Sequence, residues 1–170
     1  MNKKSNLEWL GEIPSHWDLV KLGHISSIVD CGYTSTPEYV DKEEGVIFLS
    51  GQNVKKGKLD LWKHNYIKPE LHKELTKNRK PEKGDMLVVR VGGSSNIGMS
   101  CVVEDNFEFS IYVSLTHLRI KKKYGTPYFF NHLFNWDKFR ELCNVETKVG
   151  GGVGNLNVKD FERFKLPVPP

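Results

Sequence analysis

Apolar residues in this chain come as short runs closed off by turn formers, as in MLVVRV (residues 86–91) and MSCVV (99–103) on either side of GGSSNIG (92–98). Runs of this length rich in Val, Ile, Leu and aromatics, bounded by Gly, Pro, Asn and Ser, are the mark of strands. They predict strands over residues 17–22, 45–50, 86–91, 99–104, 111–120 and 164–168, with 86–91 and 99–104 forming a hairpin around a longish loop. Helical spacing occurs in only two places. Ile67, Leu71 and Leu75 recur every four residues, with Pro69 tolerated in a first turn. Thr126 before Pro127 reads as an N-cap and N1 pair opening one long helix over 127–143, whose aromatics cover more than one stripe and predict burial. Strands and helices do not alternate regularly, which predicts an α+β domain and argues against a doubly wound one.

At 170 residues the chain is the size of one domain and can bury a core without disulfides or metal. No apolar run approaches the roughly 18 residues of a membrane span, and the N-terminal stretch lacks the apolar core of a secretory signal. These features predict a cytoplasmic protein without membrane association. Cys31, Cys101 and Cys143 are odd in number and far apart, as reduced, packed thiols would be. The net charge of +4 is mild, but lysines and arginines cluster at 55–58, 77–83 and 121–123. Such clusters admit nucleic acid as a partner, and they equally suit solvated basic loops.

The sequence offers little for catalysis. The histidines form no HxxxH or HExxH pair, no CxxC joins them and no GxSxG is present. Asp137, Glu146 and Lys148 are the residue types that bind a divalent ion and position water in many metal-dependent nucleases. Asp137 falls within the longest helical segment, however, where such sites use adjacent strands. The glycine-rich stretch KVGGGVGN (148–155) fits neither a dinucleotide fingerprint nor a nucleoside-triphosphate loop, because its frame ends on Asn155 and no Gly-Lys-Ser/Thr follows. After it, Asn157 can cap a short helix over 158–163 with Asp160 in the first turn. A capped start behind glycine can receive a phosphate; the alternative is a loop that only lets the chain turn.

Four separated pieces resemble one family when taken in order. GEIPSHW (11–17) leading into LVKL, GDMLVVR (84–90), the aromatic helix, and LNVKDF (156–161) followed by KLPVPP resemble the DNA-specificity subunit of type I restriction-modification systems. This resemblance covers nearly the whole chain. It implies a target recognition domain: an irregular, twisted, mostly antiparallel or mixed sheet with a few helices, reading a short segment of double-stranded DNA. In that family a long spacer helix follows each recognition domain. The chain ends at Pro170, where that helix would begin, so residues 1–170 are expected to be a single recognition domain, with a second specificity half among its partners. The resemblance also implies a non-catalytic chain that directs a methyltransferase (modification) subunit and, through the complex, a restriction subunit. S-adenosylmethionine, ATP and Mg²⁺ would belong to those partners, and this chain would hold no cofactor.

Base reading needs donors and acceptors at base edges and cations or amides on phosphates. The polar loops supply them. Tyr33, Thr34 and Ser35 lie on the turn before Pro37, while Gln52 and Asn53, suited to adenine, sit beside Lys55 and Lys56, suited to the backbone. Ser94, Ser95 and Asn96 follow Arg90, a guanine-reading type, and the glycine loop adds Lys148, the amides around Gly151, and Asn155. Trp9, Trp17, Asp85 and the terminal prolines read as scaffold, with Asp85 capping a turn. A metal-dependent nuclease on Asp137, Glu146 and Lys148, and a docking module that reads no sequence, are the alternatives.

Overall fold

The computed structural model describes residues 1–150 and 153–170, with the backbone alone at 148–150. Its centre is a four-stranded antiparallel sheet in the order Ser100–Val102, Met86–Val89, Leu115–Ile120, Ser26–Cys31. The predicted hairpin is its seed: Ser100 pairs with Val88 and Val102 with Met86. Successive side chains of a strand point to opposite faces. Met86 and Val88 therefore enter one core and Leu87 and Val89 another, which is why MLVV reads as unbroken apolar sequence.

The first core lies between the sheet and the helices, where Phe134 stacks on Phe139 at 4.5 Å and Phe161 and Phe164 close in edge-on. The second core lies between the sheet and a three-stranded layer in which Val46–Leu49 pairs parallel with Phe109–Ile111 and antiparallel with Asn65–Ile67. The ends of the chain meet on the helix side: Asp18–Lys21 pairs antiparallel with Lys165–Val168. The result is α+β, mixed and irregular, as the strand pattern and the motifs imply.

Two local expectations are corrected. The long helix over 127–143 is two, Pro127–Phe134 and Asp137–Val145. Thr126 caps the first as predicted, but Asn135 ends it, because its buried amide is committed to Ser100 O and Asn131 O at 3.1 and 2.8 Å. The run 111–120 is also interrupted: Leu115 N donates to Tyr112 O at 3.0 Å, so a turn separates Phe109–Ile111 from Leu115–Ile120. The helix Pro69–Thr76 packs through His72, whose Nδ1 lies 2.9 Å from Ser110 Oγ and whose pKa is lowered by burial.

The scaffold residues fall inside or against the core. Trp9 packs on Phe139 and Trp136, and Trp17 on Phe129. Asp85 caps its turn by accepting from Glu82 N at 2.8 Å, and it also binds His117 Nε2 at 2.6 Å and Arg119 Nε at 2.7 Å. Burial opposes its charge, but the Arg119 and His117 bonds outweigh that and hold the carboxyl below its ordinary range. Cys101 and Cys143 are buried free thiols; burial pushes Cys101 up to about 12 and raises Cys143 as well.

Candidate nucleic-acid interface

Polar loops that are far apart in sequence converge on one open cleft of about 390 Å³. A single helical turn, Gly51–Asn53, directs Gln52 into it, and the hairpin loop after Gly92 supplies Asn96. Tyr39 comes from the end of the GYTSTPEY stretch, and Tyr112 and Ser114 from the turn between strands. Among the described residues no carboxylate lines this cleft, so its walls offer amides, hydroxyls and aromatic rings without repelling a polyanion. The glycine-rich stretch joins from the side: Lys148–Gly150 and Val153–Asn155 form a hairpin whose second strand pairs with Val91–Gly92.

Close backbone approaches hold these loops together. Gly32 carries the chain against Ile111 O, which would stand 2.2 Å from any Cβ placed there. That approach lets Tyr33 N donate to Ile111 O at 2.8 Å and Tyr33 O accept from Val113 N at 2.9 Å. At Gly98, φ of +81° and the Cys143 side chain 3.0 Å from a would-be Cβ turn the hairpin back into the sheet.

The sequence-predicted residues divide into distinct groups. Gln52 and Asn96 are exposed in the cleft, and Ser94 and Ser95 are exposed beside it, their carbonyls held by Asn144 and Arg140. Lys55 is exposed on the neighbouring two-residue strand Val54–Lys55, and Lys56 on the turn after it, in a 3.4 Å ion pair with Asp137. Tyr33 and Thr34 line a different cleft of about 290 Å³, with Asp30, Arg79 and His117, and Ser35 is exposed next to it. Asn155 is exposed on the glycine-rich hairpin. The side chain of Lys148, and Gly151 altogether, lie outside the described residues.

Two residues expected at base edges are inside the protein. Asn53 is 1% exposed and acts as a capping residue: its Oδ1 accepts from Ser50 N at 3.0 Å and its Nδ2 donates to Asp60 O and Lys63 O. Arg90 is 7% exposed and spends its guanidinium on Leu156 O, Val113 O and Asn155 Oδ1. It ties the glycine-rich hairpin to the Tyr112–Ser114 turn, a supporting role beneath the surface. Tyr39, Asn65, Tyr112 and Ser114, which residue types alone did not single out, complete the cleft. A polar serine inside the apolar run 111–120 is the signal that could have marked the last two.

The proposed nuclease set is not gathered. Asp137 opens the helix Asp137–Val145 and Glu146 ends it, which places them about 13 Å apart along its axis. Asn157 does cap a helix, accepting from Lys159 N at 2.9 Å, but Val158–Phe161 is a single turn that buries Phe161 in the core.

These features define an open, irregular mixed-β domain presenting a loop-built polar cleft that no carboxylate lines among the described residues. That fold is found within the specificity subunits of type I restriction-modification systems. No family model matches the sequence. Over 95% of its length the chain is 25% identical to a protein of Methanocaldococcus jannaschii named as the specificity subunit of type I restriction enzyme MjaX, of which it spans 37%. Among solved structures, a chain from a study of complex assembly and conformational transition in a type I system matches with a TM-score of 0.63 at 18% identity, over 93% of this chain and 35% of its own. The HsdS subunit from Thermoanaerobacter tengcongensis gives 0.57 at 14% identity, over 99% of this chain and 36% of its own. The type I S subunit from M. genitalium gives 0.57 at 12%, over 89% and 34%. The chain thus spans about a third of the length of the relatives it matches.

Proposed function

We propose that this domain reads a short segment of duplex DNA and so directs the methyltransferase and restriction subunits of a type I system to their target. The observation that carries the reading is the convergence of separate polar loops on one carboxylate-free cleft, in a domain with the fold of type I specificity subunits. Gln52 and Asn96 face the base edges, where an amide can pair bidentately with adenine. Ser94, Ser95 and Asn155 extend that contact, while Tyr33, Thr34 and Ser35 meet the adjoining stretch. Lys55, Lys56, Lys148 and the amides around Gly151 hold phosphates. In this reading the chain performs no chemistry, and S-adenosylmethionine, ATP and Mg²⁺ are bound by its partners.

Competition between duplex pools tests this division of labour. Lys55→Ala and Lys56→Ala should weaken binding to every sequence alike, each lowering the salt slope by about one phosphate contact. The exposed pair of Lys56 with Asp137 is weak enough to open for this. Gln52→Ala should cost about 1–3 kcal/mol on the preferred duplex and little elsewhere. Equal losses on all sequences from all three changes would contradict sequence reading through the cleft.

A further inference from the structure

We infer that Trp62 is an apolar anchor on the duplex, its indole packing against the sugar and base-edge wall of a groove beside the segment read by Gln52 and Asn96. This rests on the DNA-reading proposal and adds a contact to it. Trp62 is 93% exposed, and no aromatic or cationic partner covers it among the described residues. The other exposed aromatic rings near core elements are better covered: Trp136 packs on Trp9 and lies under Lys138, and Tyr39 packs on Phe48.

A lone apolar side chain at a surface needs no explanation when its loop is unconstrained. The turn that carries Trp62 is heavily constrained. Asn53, itself buried, donates to Asp60 O at 2.9 Å and Lys63 O at 2.8 Å, the carbonyls that flank Leu61 and Trp62. Trp62 N donates to Asp60 Oδ1 at 2.9 Å, and His64 closes the turn with Nδ1 3.1 Å from Leu61 O and Nε2 2.9 Å from Tyr66 Oη. Folding has already ordered this turn around an indole that faces water, and such preorganisation favours whatever later covers the ring.

Position and charge say what covers it. Asn53 belongs to the helical turn Gly51–Asn53 that sets Gln52 in the cleft, so one buried side chain holds both the reading residue's turn and the indole's turn. In the same stretch of chain, Lys55, Lys58 and Lys63 are exposed and make no ion pair among the described residues. The carboxylate of Asp60, two residues before the indole, is engaged by Trp62 N. An exposed indole in a stretch of unpaired lysines suits a polyanion that also offers apolar surface, as deoxyribose and base edges do between phosphates.

The test uses the full chain, its preferred duplex and an unrelated duplex. Trp62→Ala should weaken binding to the preferred duplex roughly tenfold, as loss of part of an indole's apolar burial does, without changing the salt slope, since no charge is removed. Trp62→Phe should retain most of the affinity. Acrylamide should quench a fraction of the free chain's tryptophan emission that Trp62→Phe lacks, and the duplex should protect that fraction. If wild type binds its duplex while Trp62→Ala binds equally well and the indole stays quenchable in the complex, this inference is overturned and DNA reading stands. If wild type binds no duplex, both fall. If Trp62→Ala binds DNA normally but loses the methyltransferase subunit, the indole belongs to a protein interface and the inference is overturned.

Discussion

Replacing Asp85 with alanine is expected to destabilise the domain by about 3–5 kcal/mol, the cost of removing one partner from a buried ionic network. Asp85 is 2% exposed, and its two oxygens receive Glu82 N, His117 Nε2 and the Arg119 guanidinium. Without it, the turn at 82–85 loses its cap, and His117 and Arg119, two residues apart on one face of Leu115–Ile120, lose the carboxylate they share. Urea unfolding at neutral pH measures the loss. The pH dependence is a second readout. The folded carboxyl lies below its ordinary value, so its stabilisation is present in full above the unfolded value, about 4, and drains away as pH falls through the folded one. The gap between wild type and Asp85→Ala should hold from neutrality to about pH 4 and narrow below it. A gap that widens in acid would show that Asp85 is not held as its charged form.

Arg90→Ala is expected to cost about 3 kcal/mol and to reduce sequence preference more than overall DNA affinity. The guanidinium donates to Leu156 O at 3.2 Å, Val113 O at 2.9 Å and Asn155 Oδ1 at 2.7 Å, and each acceptor is left short of a partner when it is removed. Those acceptors belong to the glycine-rich hairpin and to the turn that carries Tyr112 and Ser114 into the cleft. If the cleft reads DNA as proposed, loosening them blurs the reading surface while the exposed lysines would still meet phosphates. Arg90→Lys separates this account from a simple phosphate contact: lysine keeps the charge but not the fork. Duplex competition should therefore find selectivity lost in both variants, and full rescue by lysine would contradict the clamp.

What could be read from the sequence follows from how local each determinant is. Met86–Val89 and Ser100–Val102 were legible because a strand buried on both faces is apolar throughout. Ser26–Cys31 was not, since SSIVDC mixes polar and apolar residues and becomes a strand by pairing with Leu115–Ile120. The parallel pairing of Val46–Leu49 with Phe109–Ile111 is a tertiary event that no short pattern announces. The candidate site divides similarly. Residue type says that Gln52, Asn53 and Arg90 can hydrogen-bond, but not which way they face. Asn53 had a local clue, its place at the third position after Ser50, where a side chain reaches back to cap the turn. Arg90 had none, because its three partners are supplied by segments more than twenty residues away.

DNA methylation profiling of the host with and without the intact gene, with the methyltransferase partner expressed in both, tests the central claim most directly. The account predicts that one methylated sequence disappears when the gene is lost and returns with the wild-type copy. An unchanged pattern of methylation would contradict it.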